Sequence, residues 1–273
     1  MIDTHAHLNF NDFQDDYAEV IKRSFDNGIK AIINVGSNFL TSQRAVEIAK
    51  EFLNCYAAIG LHPIHIQDEE FKIEDYRQLI RANKRIVKAI GETGLDYFHD
   101  RKNQEKQKEI FLKHLELAKE FNLTIILHCR GEKNNPKQAY EDLLSIINNQ
   151  LSIITSGVIH CFSADWQVAQ KFLDLDFYLG FTGIITFPNV SQELVEVVDK
   201  VPREKILIET DCPFLAPQPV RGQRCEPWHV KFTAEKIAEI KKIPFEEIIK
   251  ETTNNAIKLF NLGQKRTDLS KPA

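Results

Sequence analysis

The chain has 273 residues, 43% of them hydrophobic, with 35 basic and 39 acidic side chains and a formal net charge of −4. That content can bury a large core, and the length is too great for a single sandwich but right for one α/β barrel. The acidic balance excludes bulk, non-specific attraction to nucleic acid, while leaving room for a local basic rim that meets phosphate.

In chain order, the first element is a strand at residues 2–7 that ends in His5-Ala6-His7. Residues two apart on a strand point the same way, so the two imidazoles share one side. Phe13, Tyr17, Val20, Ile21 and Phe25 then fall on one helical face, with Gly28 where a C-terminal cap belongs. Further strands are expected at residues 31–35, 55–61, 87–92, 124–128, 156–160, 177–181 and 206–209. Between the fourth and fifth, Phe111, Leu115, Ala118 and Phe121 repeat the helical pattern. Eight strands alternating with helices close most simply into a (β/α)8 TIM barrel, a single α/β domain over residues 1–261. A doubly wound sheet would gather the strand ends less naturally. Residues 262–273 lose periodicity and are expected to form a flexible C-terminal tail.

No apolar run is long enough to span a bilayer, and the chain opens without the basic-then-apolar pattern of a signal peptide. Five cysteines form no C-x-x-C pair. The expectation is a cytoplasmic monomer in a reducing compartment, without a membrane partner.

Ligand-type residues recur where strands end. They are His5, His7, Glu92, His128 and His160, with Asp211 just past the eighth strand. In a barrel these ends meet at one face, where catalytic residues sit. Imidazole plus carboxylate suits divalent ions such as zinc or manganese, and magnesium prefers oxygen. Six ligands exceed what one catalytic ion takes, so two divalent ions are expected. In this reading Glu92 bridges, one ion takes His5, His7 and Asp211, and the other takes His128 and His160. Asp211 accepts the proton of the attacking water and passes it to the leaving group. Glu209 stands two residues before Asp211 and is read as an acceptor behind a ligand histidine, with ligand or plain strand residue as alternatives. His62 is placed to touch substrate or a ligand. His65, His99, His114 and His229 lack strand-end placement and are read as structural or surface residues.

Arg130 follows His128, and Arg221 and Arg224 lie in a loop after Asp211. Their guanidinium forks suit phosphate oxygens, which points to DNA as substrate. Tyr97, Phe98, Phe162 and Trp166 lie near the mouth, where bases can stack, although core packing is the default for most of them. The same site can polarise a carbonyl, so a metal-dependent esterase acting on aminoacyl-tRNA is the alternative.

Taken together, Asp3-Thr4-His5-Ala6-His7, Gly60-Leu61-His62-Pro63, Gly91-Glu92-Thr93-Gly94-Leu95-Asp96-Tyr97, Leu127-His128-Cys129-Arg130, His160-Cys161-Phe162-Ser163 and Glu209-Thr210-Asp211-Cys212-Pro213-Phe214 resemble the TatD family of metal-dependent deoxyribonucleases in the amidohydrolase superfamily. The resemblance runs in order along nearly the whole chain. It implies a TIM barrel with one to three divalent ions at residues matching His5, His7, Glu92, His128, His160 and Asp211. It also implies hydrolysis of DNA phosphodiesters, with 3′ to 5′ action on single strands. Some relatives instead resemble D-aminoacyl-tRNA deacylases, which keeps tRNA as a second substrate. The loop Val220-Arg221-Gly222-Gln223-Arg224-Cys225-Glu226-Pro227 resembles the family's, departing from it at Gln223 and Cys225.

Overall fold

The computed structural model describes residues 1–150 and 157–263. Eight parallel strands form one sheet in sequential order: β1 (Ile2–Ala6), β2 (Ala31–Val35), β3 (Cys55–Ile59), β4 (Val87–Asp96), β5 (Thr124–Arg130), β6 (Gly157–Ile159), β7 (Tyr178–Phe181) and β8 (Ile206–Ile208). The segment after β8 returns to β1 and closes the ring. His7 N–H donates to Cys212 O at 2.8 Å and Asp211 N–H to His5 O at 2.9 Å. This is a TIM barrel, as the alternation of strand and helix periods predicts.

Helices α1 (Tyr17–Asp26), α2 (Phe39–Glu51), α3 (Ile73–Ala82), α4 (Gln104–Phe121), α5 (Gln138–Asn149), α6 (Trp166–Asp174), α7 (Gln192–Lys200), α8 (Val230–Lys241) and α9 (Phe245–Phe260) surround it. None among the described residues is long and apolar enough to cross a membrane. Phe13, expected on the first helix, lies in the short 3-10 turn ahead of it, and Gly28 follows the helix at φ +86° as its cap requires.

The core has two shells. An outer one packs the helices against the sheet. The inner one takes a residue from every strand, among them Ile2, Ile33, Ala58, Ala89, Ile126, Val158, Tyr178 and Leu207, and adds Ala256, Leu259 and Phe260 from α9. Thus α9 seals the end of the barrel away from the candidate ligands. Asn255 ties it there by donating to Arg203 O and Ile206 O, both at 2.8 Å.

Strand ends differ from expectation in an informative way. β4 runs on to Asp96 and β5 to Arg130, past the expected ends at residues 92 and 128, and β4 carries Gly91 and Gly94 within it. Both glycines take positive φ, +141° and +136°, and a Cβ on Gly91 would sit 2.5 Å from Ile126 O. They let β5 approach closely instead of ending the strand. Ser156, expected to open the sixth strand, and residues 264–273 of the expected tail lie outside the described residues.

Candidate metal centre

Strand phase decides which side chains reach the barrel mouth. On β5, β6 and β8 the inner-shell residues Ile126, Val158 and Leu207 precede His128, His160 and Glu209 by two positions, so simple alternation turns these inward. On β1 and β4 the inner-shell residues are Ile2 and Ala89, three positions before His5 and Glu92. Alternation alone would turn both ligands outward. The sheet register shifts between Asp3 and Ala6 on β1 and between Ile90 and Thr93 on β4, and these irregularities restore the inward phase. Asp211 and Cys161 adopt left-handed backbone, at φ +61° and +46°, a conformation that non-glycine residues hold only where surrounding contacts enforce it.

The centre is organised around Glu92. Its Oε2 lies 3.4 Å from His5 Nε2 and 3.9 Å from His7 Nε2. Its Oε1 lies 3.0 Å from His128 Nδ1, 3.5 Å from His62 Nε2 and 3.9 Å from His160 Nε2. Asp211 Oδ1 completes the first group, 3.3 Å from His7 Nε2 and 3.5 Å from His160 Nε2. The rings of His5 and His160 stack at 3.5 Å. His160, expected beside His128, therefore stands between Asp211 and Glu92. Its Nδ1 lies 2.8 Å from Glu209 Oε1, which draws the ring toward β8 and β1.

His7, His128 and His160 have their other nitrogen occupied, whereas the buried Nδ1 of His5 has no hydrogen-bond partner among the described residues. His7 Nδ1 donates to Val35 O at 2.8 Å, leaving Nε2 with a lone pair toward the centre. His128 Nε2 pairs with Asp96 Oδ2 at 2.9 Å. Asp96 is in turn held by His99 Nδ1 at 2.9 Å and by the N–H groups of Phe98 and His99. Glu209 also accepts from Cys161 N–H at 2.5 Å. Gly180 makes room for that carboxylate, since a Cβ there would meet it at 2.5 Å. His62 differs: its Nδ1 accepts from Ile64 N–H, so in the neutral ring Nε2 bears the proton and donates instead of ligating.

The electrostatics call for a cation. Burial alone would raise the Glu92 carboxyl, but His62, His5, His160 and His128 hold it well below the usual carboxylate range. Asp211 and Asp96 are likewise held low against burial, by His160 and His7 and by His128 and His99. Burial opposes charge on His128, yet Asp96 and Glu92 push it up to about 9, and Glu209 and Glu92 raise His160. Burial keeps His5 and His62 neutral, with His62 lowered to about 4. Buried carboxylates surrounded by imidazoles thus recruit protons as counter-charge, the role a divalent ion fills. The Nε2 atoms of His5 and His7 also face each other at 3.2 Å, which needs a proton or cation between them. Groups able to share an ion among the described residues are His5, Glu92 and His160; His5, His7 and Asp211; and His62, Asp96 and His128. The donor set fits divalent metal.

The six expected ligands converge here, with Glu209 behind His160 and His62 beside Glu92. Arg130 is exposed at the rim with its guanidinium 4.1 Å over the Phe98 ring, and Arg221 stacks at 4.1 Å over Phe187. Arg224 is a correction. Its NH1 and NH2 pair with Asp16 at 2.9 and 2.5 Å, NH1 also donates to Asp12 O, and the group lies over Phe13, so its donors tether a loop and are not free for phosphate. Asp96 carried no role in the sequence reading; standing four residues after Glu92 on one strand was the available signal. Tyr97 and Phe162 are buried, whereas Phe98 is exposed.

A sequence model described as TatD related DNase matches residues 2–261. The chain is 42% identical to an uncharacterized metal-dependent hydrolase, YabD, of Bacillus subtilis, covering 96% of this chain and 100% of that one. It is 32% identical to the 3′-5′ ssDNA/RNA exonuclease TatD of Erwinia amylovora, over 96% and 100% of the two chains. The crystal structure of YJJV, a TatD homologue from Escherichia coli, superposes with a TM-score of 0.87 at 30% identity, over 96% of this chain and 98% of that one. The barrel, the imidazole and carboxylate centre at its mouth and these likenesses make the chain a member of the TatD family, a metal-dependent hydrolase.

Proposed function

We propose that the protein is a two-metal phosphodiesterase that removes nucleotides from the 3′ end of single-stranded DNA. The observation that carries this reading is the Glu92 carboxylate, which offers one oxygen to each of two imidazole groups. His5, His7, His160 and Asp211 with Glu92 would hold one ion, and His128 with Glu92 the other. A bound divalent ion supplies electrophilic activation of the phosphate and acidifies water. The protein's own residues supply the rest. Asp211 takes the proton of the attacking water at a carboxylate oxygen and returns it to the leaving 3′ oxygen. His62 donates from Nε2 toward the side of the centre where the phosphate enters. Glu209 and Asp96 fix the rings of His160 and His128, so the acceptor atoms need no reorganisation when charge develops. Arg130 and Arg221, exposed at the rim, meet the phosphates of the incoming strand. The naming of the Erwinia relative as a single-strand exonuclease supports the polarity and substrate.

The test uses single strands labelled at the 3′ or 5′ end, assayed with magnesium, manganese and zinc, beside D-aminoacyl-tRNA. Stepwise loss of 3′ nucleotides that stops on chelation is the expected result. Release of the aminoacyl group with intact DNA, or hydrolysis by exhaustively metal-free protein, would sink this reading.

A further inference from the structure

Among the described residues, only two aromatic side chains appear with the large hydrophobics left exposed: Phe98, 46% accessible, and Phe214, 50%. Exposing an aromatic ring forgoes the stabilisation that burial brings, and a barrel with this much core does not lack places to bury two more. Both rings stand at the mouth, and each is fastened to a different side of the metal centre. Phe214 N–H donates to Asp211 O at 2.9 Å, and its ring sits edge-on to Phe10 at 6.2 Å and to the ligand His7 at 6.5 Å. Phe98 N–H donates to the Asp96 carboxylate at 3.0 Å, and Arg130 lays its guanidinium 4.1 Å over the ring. One side of the centre thus presents an apolar face, and the other a planar cation backed by an aromatic.

A nucleobase is a flat π-system that stacks on such faces when it is unpaired, whatever its identity. In a duplex the same face is covered by its neighbour. Resting on the phosphodiesterase reading above, we propose that Phe214 and the Phe98 and Arg130 pair are two stacking platforms that receive the bases on either side of the scissile phosphate. They make the site selective for at least two unpaired nucleotides. The shared chemistry is an unpaired base next to a phosphate, which single-stranded DNA and RNA both carry.

Binding tests this without relying on turnover. Metal-loaded protein is titrated, by fluorescence anisotropy, into short labelled single strands whose phosphorothioate linkages resist cleavage. One strand set is DNA and one RNA; a third is DNA with abasic sugars at the two terminal positions, and a fourth is a blunt duplex. Stacking on one base is worth enough that Phe214→Ala and Phe98→Ala should each weaken binding of the base-bearing strands roughly tenfold. Neither variant should change binding of the abasic strand or the duplex, and Phe214→Trp should restore affinity. Equal affinity of wild type for base-bearing and abasic strands would overturn the proposal, as would equal losses on both in the variants. The two readings fail separately. Base-dependent binding without cleavage of ordinary strands removes the nuclease and leaves the platforms; cleavage indifferent to both aromatic rings does the reverse. Loss on RNA alone or DNA alone would assign the platforms to that sugar.

Discussion

His160 and His128 are the same residue type doing the same work from adjacent strands, yet their settings differ. His160 is sealed, its side chain 4% accessible, backed by Glu209 at 1%, and stacked on His5. His128 is 18% accessible and backed by Asp96, whose other partner His99 is half exposed. The His160 side of the centre is the more enclosed, with Asp211 at 17% its accessible edge; the second opens toward the rim where Arg130 lies. Enclosed, mutually stacked groups would hold an ion in a fixed setting, whereas the open side has the access a substrate phosphate needs. With two ions bound as proposed, the difference would divide them into a retained ion and a working one.

The sharpest way to break the comparison is Asp211→Asn, on the sealed side. The amide keeps its shape and one ligand oxygen but cannot accept a proton, so turnover should fall by about 10²–10⁴-fold with metal content preserved. Metal loss in proportion to activity would reduce Asp211 to a ligand. Next, Glu209→Gln should lower metal affinity about 10–100-fold on the sealed side alone, because the His160 ring loses its charged support. Competition with a chelator, read as the number of ions retained, separates this from uniform weakening. Asp96→Asn should act on the other ion with an effect nearer the lower end of that range, since water can replace part of the lost bond at an open site. If both variants release the same ion, the two sides are not independent. Smallest is Arg130→Ala. A contact made equally in ground and transition states should raise KM for single strands several-fold and leave kcat in place.

Much of this was legible beforehand because barrels translate order in the chain into position around a ring. Hydrophobic period and turn residues marked all eight strands, and the strand-end rule then gathered His5, His7, Glu92, His128, His160 and Asp211. What escaped was of two kinds. The fourth strand runs past its expected end at residue 92 because glycines at 91 and 94, whose intrinsic preference is against strands, here admit a neighbouring backbone; Asp96 lies in that extension. Arg224 illustrates the second kind. Its partner Asp16 lies 208 residues away, and no local pattern reports a contact formed only when the barrel shuts.

The joint between the first and last strands carries one more implication, for assembly. Asp3 accepts from Thr210 N–H at 3.0 Å and from its hydroxyl at 2.6 Å, across 207 residues of chain. His5 and Asp211 therefore meet only after every intervening unit has been laid down and the ring has been zipped. Contacts of such sequence separation form late and slowly. An ion captured on the sealed side would then act as a latch on completed molecules, and its binding free energy would add to the stability of the ring as a whole. Stripping the metal should show first as faster amide exchange along this joint, while the β2 and β3 pair on the far side keeps its protection.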